Sequence, residues 1–113
     1  MNVSTEKWNM WDIVAIEGAF VVRVLSDIRK VFEDIEKNPN PHVALDLTTT
    51  SYIDSSAITL LLNFQKRLKN ANGRMVIFGP SEDIEGIFAI VNLEESVSIL
   101  QSREEFESTC QAG

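Results

Sequence analysis

Apolar residues recur at Val21, Val24, Leu25, Ile28, Val31, Phe32 and Ile35, and Arg23, Asp27, Arg29, Lys30, Glu33 and Asp34 fill the gaps. Steps of three and four place one apolar stripe on a helix, here over residues 21–37. Asn38-Pro39-Asn40-Pro41 ends it, because proline has no N–H to continue the ladder. A second stripe, Ile58, Leu61, Leu62, Phe64, Gln65 and Leu68, predicts a longer helix. Asp54-Ser55-Ser56 offers its N-cap, and Asn70 to Gly73 its stop, with Gly73 expected in the left-handed cap conformation. Ser81 begins a third helix reaching about Val91, with Glu82 and Asp83 favoured at its positive end. Ser102 begins a fourth.

Elsewhere the period shortens. Residues 3–8 and 11–18 alternate on either side of Asn9-Met10, which predicts a hairpin closed by Gly18. Residues 42–47, 74–78 and 97–100 are short apolar runs, as in strands buried on both faces. Thr48 to Ser51 is expected to form a polar loop, anchored at its end by Tyr52 and Ile53. The order β-β-α-β-α-β-α-β-α predicts an α/β fold. A mixed sheet is expected, an N-terminal hairpin followed by mainly parallel strands joined by right-handed crossovers, with about four helices. A chain of 113 residues, 44% hydrophobic, fills one core and predicts a single domain over 1–113.

The net charge of −7 changes the list of partners. An acidic surface repels phosphate backbones, and the densest basic cluster is only Lys66, Arg67 and Lys69, so direct nucleic-acid binding is not expected. The opening MNVSTEKW lacks an apolar signal core, and runs such as Leu60 to Leu62 are far too short to span a membrane. A cytoplasmic location without membrane insertion is expected. Cys110 is the sole cysteine, so no internal disulfide is expected. His42 is the sole histidine, with no partner ligand or nucleophile beside it in sequence. Glu94-Glu95 and Glu104-Glu105 are adjacent residues whose side chains diverge on a helix. No GxGxxG, P-loop, CxxC or HExxH pattern occurs. The chain is therefore expected to be no enzyme, with no catalytic residue, metal or cofactor. Trp8, Met10 and Phe20 are candidates for an exposed apolar patch.

The informative stretch is VALDLTTTSYIDSSAITLLL, where a buried strand passes through a polar segment into a helix. Helix N-termini carry unpaired amides and about half a positive charge. A serine there is either a simple cap or a hydroxyl open to modification. A phosphate added at such a place finds donors waiting and brings about −1.5 to −2 charges.

The order of short motifs resembles the STAS domain of anti-sigma factor antagonists. The resemblance is carried by Asp46-Leu47, by Tyr52-Ile53-Asp54-Ser55-Ser56, and by the helix end, glycine, strand and Gly79-Pro80-Ser81 turn over residues 67–81. Ile87-Phe88 with Val91-Asn92-Leu93 extends it, over roughly residues 12–110. It implies a non-enzymatic switch. The unphosphorylated form would bind an anti-sigma factor or serine kinase and free a sigma factor. Phosphorylation of Ser55 would end binding, and a phosphatase would restore it. Partner contacts are expected at Asp54, Ser55, Ser56, Ala57, Thr49, Thr50 and Phe20, with an apolar surface after Gly18. Two alternatives are a STAS module regulating a transporter or signalling complex without a phospho-switch, and a small nucleotide-binding protein or enzyme using the strand–loop–helix crevice.

Overall fold

The structure, a computed structural model, describes residues 3–110; the ends of the expected 1–113 domain, residues 1–2 and 111–113, lie outside the described residues. Strands β1 (Val3–Trp8) and β2 (Trp11–Ile16) form the expected antiparallel hairpin. Asn9, at φ 54°, makes the turn between them. Strands β4 (His42–Asp46), β6 (Arg74–Phe78) and β7 (Ser98–Leu100) add in parallel, giving the order β1-β2-β4-β6-β7. Helices α1 (Leu25–Glu36), α2 (Ser55–Asn70), α3 (Glu82–Ile90) and α4 (Arg103–Cys110) complete the fold.

Alternation along the strands divides the sheet into two faces. Val14, Ile16, Val43, Leu45, Met75 and Ile77 meet the apolar stripes of α1, α2 and α3 in the larger core. Phe32 of α1 and Phe64 of α2 stack there, with ring centroids 3.8 Å apart. Trp11, Ile13, Ala44, Val76 and Phe78 face the other way and are closed by Phe106 and Cys110 of α4. Both faces of β4 and β6 are buried, which explains why those strands read as unbroken apolar runs. Arg103 fastens α4 to the sheet edge, donating to Glu6 at 3.2 Å and to Glu107 at 2.7 Å. The Glu6 hydrogen bond, aided by Glu107, raises the Arg103 pKa further despite some desolvation.

Three expectations are corrected. The segment after Thr48 is not all loop. Strand β3 (Gly18–Phe20) pairs in parallel with β5 (Thr50–Ile53) as a separate two-stranded sheet. Gly18, at φ 82°, turns the chain out of β2 into this ribbon. The helix over 21–37 begins instead as a 3-10 turn at Val22–Val24, then becomes α1. The left-handed residue after α2 is Asn72, at φ 59°, not Gly73. Gly73 is needed for space, since a Cβ there would lie 2.2 Å from the Pro41 carbonyl oxygen.

Candidate functional site

The site forms where the small β3–β5 ribbon delivers the chain to α2. Asp54 is the N-cap of α2, and its Oδ1 accepts from the Ala57 N–H at 2.9 Å. Its Oδ2 accepts from the Val22 N–H at 3.0 Å, so one carboxylate holds both the start of α2 and the 3-10 turn leading into α1. The backbone supports the same junction, with Asp54 N–H donating to the Phe20 carbonyl at 3.3 Å and Ile58 N–H to the Asp54 carbonyl at 3.2 Å.

Ser55 is the first residue of α2, and it is exposed. Its carbonyl accepts from the Thr59 hydroxyl, while its own hydroxyl makes no hydrogen bond among the described residues. Ala57 and Ile58 have their N–H groups taken by Asp54, which leaves the amides of Ser55 and Ser56 without an acceptor among the described residues. A free hydroxyl thus stands beside two free amides at the positive end of a 16-residue helix. This is a geometry that accepts an anion.

Hydrogen bonds and one close backbone approach brace the segments beneath the site. The Thr50 hydroxyl donates to the Ile16 carbonyl at 2.6 Å, and Gly18 N–H donates to the Thr49 carbonyl at 2.9 Å. Asp46 accepts from both the N–H and the hydroxyl of Thr48. Gly79, at φ 75°, lies so close to Thr48 that a Cβ would come within 2.2 Å of its methyl.

The expected contact residues divide on burial. Ser55 and Thr49 are exposed, and Asp54 and Ser56 are half-buried. Phe20, Thr50 and Ala57 are buried and cannot meet a partner with their side chains. Phe20 and Ala57 belong to the larger core, and Thr50 spends its hydroxyl on the backbone. The Ala57 methyl therefore leaves the outer surface of α2 unaltered. The patch of Trp8, Met10 and Phe20 is not formed either, since Phe20 is internal and Trp8 packs on Phe106, centroids 5.2 Å apart. Tyr52 faces solvent, 56% exposed, instead of anchoring the loop. Val22, 64% exposed, was missed; its signal was an apolar residue off the helical stripe.

The STAS domain family model matches residues 10–106, across the whole of this junction. The chain belongs to the STAS domain family. A STAS-domain containing protein of Pseudomonas aeruginosa is 29% identical over 76% of this chain and 84% of its own. An anti-sigma-B factor antagonist of Staphylococcus aureus is 21% identical over 92% of this chain and 96% of its own. A crystal structure from Thermotoga maritima overlays this STAS domain with TM-score 0.88 at 20% identity, covering 96% of this chain and 94% of that one. The Bacillus cell fate determinant SpoIIAA in its phosphorylated form overlays with TM-score 0.73 at 16% identity, covering 95% and 98%. A sulfate transporter family protein from Wolinella succinogenes gives TM-score 0.81 at 17% identity, covering 95% and 89%. The mixed sheet and four helices of this STAS domain are common to these structures. No helix among the described residues is long and apolar enough to cross a membrane.

Proposed function

We propose that this STAS domain is an anti-sigma factor antagonist. In this reading the unmodified protein binds an anti-sigma factor or serine kinase over the N-terminus of α2, freeing a sigma factor. Phosphorylation of Ser55 ends that binding, and a phosphatase restores it. The observation that carries the reading is the exposed Ser55 hydroxyl, without a hydrogen bond among the described residues, beside Asp54, the N-cap tethered to Val22. A phosphate there brings about −1.5 to −2 charges within reach of the Asp54 carboxylate. The free amides of Ser55 and Ser56 keep the helix start intact while the contact surface becomes strongly anionic. The change is therefore one of docking, not of folding. The likeness to anti-sigma-B factor antagonists supports the same partner class.

The test is incubation with the cognate kinase and ATP, followed by mass spectrometry of the Ser55 peptide and binding of the anti-sigma factor. Phosphate on Ser55, with binding lost in Ser55→Asp and kept in Ser55→Ala, supports the switch. Equal affinity of wild type and Ser55→Asp overturns it. The overlay with a transporter-family structure favours one second reading, a regulatory module with Ser55 silent. Co-purification with a membrane transporter and no phosphate on Ser55 would select it.

A further inference from the structure

Beside the Ser55 junction, α1 and α2 leave a groove of about 420 Å³ between them. It begins at Val22 and Ser56 and runs past Thr59 and Asn63 to Arg29 and Arg67. Its floor is Leu25 and Leu60, both buried. None of its lining residues is acidic, although the chain carries a net charge of −7. Arg67 is held at 2.7 Å by Glu36, but Arg29 has no carboxylate partner among the described residues. Val22 adds an exposed apolar side chain at the mouth.

We infer that this groove docks an acidic segment of the partner protein, one carrying an aliphatic side chain among carboxylates. The inference rests on the proposed antagonist reading only for which protein supplies the segment. An aliphatic side chain meets Val22 and the Leu25–Leu60 floor. A carboxylate meets Arg29, whose planar guanidinium makes no ion pair among the described residues and offers two parallel donors. Ser56, Thr59 and Asn63 supply hydrogen bonds along the wall. The local positive charge in an otherwise acidic molecule favours an acidic segment at this groove over the rest of the surface. Ser56 lines the groove one residue beyond Ser55, so the modifiable hydroxyl stands at the same end of α2 as the groove mouth. A phosphate on Ser55 then repels the same acidic segment that the groove attracts.

The probe is a blocked peptide alternating glutamate and leucine, titrated into the isotope-labelled protein and followed by amide chemical shifts. A lysine–leucine peptide and inorganic phosphate are the comparison arms. The expected result is saturable shifts at Val22, Ser56, Thr59 and Asn63 with the glutamate–leucine peptide alone. Arg29→Glu, a change on an exposed side chain, should weaken that binding by roughly fivefold, the size of one exposed charge pair. Asn63→Glu should weaken it comparably, with both variants retaining the wild-type melting temperature. Absence of shifts, an equal response to the lysine peptide, the same shifts with inorganic phosphate, or unchanged affinity in both variants overturns the inference. The titration needs no kinase, so its failure is distinct from failure of the Ser55 switch.

Discussion

The Asp54 carboxylate accepts a hydrogen bond from the Val22 N–H across 32 residues of sequence, joining the start of α2 to the turn before α1. The other oxygen caps α2 through Ala57. One side chain thus sets where Ser55 stands relative to the groove mouth.

Replacing Asp54 separates these two bonds. Asp54→Asn keeps an oxygen for the Ala57 N–H but turns its amide nitrogen, a donor, toward the Val22 N–H. The Val22 amide should then exchange faster with solvent while Ala57 stays protected. Asp54→Ala loses the cap as well and should cost about 1 kcal/mol in chemical unfolding. Unchanged exchange at Val22 in both variants would show that the tether contributes nothing.

Ser55 is exposed and its side chain makes no hydrogen bond among the described residues. Ser55→Ala and Ser55→Asp should each stay within about 0.5 kcal/mol of wild type in denaturant titrations. Any loss of partner binding in Ser55→Asp is then a surface effect. A drop in stability large enough to unfold the domain would remove that interpretation.

Two glycines are required for different reasons. Gly73→Ala forces a methyl against the Pro41 carbonyl oxygen, where α2 passes into β6. It should destabilise by about 2 kcal/mol or more, with no single partner change able to relieve it, because the obstacle is backbone. Gly79→Ala instead meets the Thr48 methyl and also pays for a positive φ. Adding Thr48→Ser removes the methyl, so the double variant should melt above Gly79→Ala yet below wild type.

Cys110 packs into the smaller core, and burial pushes its thiol above the ordinary 9.0, partly countered by Arg74. A raised folded-state pKa means the unfolded chain ionises first as pH rises. Stability from this group is complete below the ordinary thiol range and is lost as pH climbs through the folded value. Cys110→Ala should flatten the alkaline side of the stability–pH profile. The native thiol should also react slowly with a thiol reagent and quickly in denaturant. Equal rates in both conditions would mean that α4 does not hold this thiol against the sheet.

Much of this architecture was legible in the chain because the local signals agreed with the global fold. The stripes over α1 and α2, the Asn-Pro breakers, the caps at Asp54 and Ser81 and the apolar runs of β4 and β6 each had one physical meaning. Asp54-Ser55-Ser56 was also visible as a helix start. The β3–β5 ribbon was not, since three- and four-residue strands carry too few positions to show a period.

The sequence by itself determined the order of the four helices and of the five main-sheet strands, the two-sided burial of the central strands and the serine at the head of α2, because periodicity and capping act over a few neighbouring residues. Tertiary structure alone decided that Phe20, Thr50 and Ala57 turn inward, that Tyr52 and Val22 turn outward, and that Arg29 and Arg67 flank one groove. Those outcomes depend on which distant segments meet. Asp54 reaching Val22 is a contact between residues that no local pattern links, and it exists only once both have been brought to the same end of the sheet.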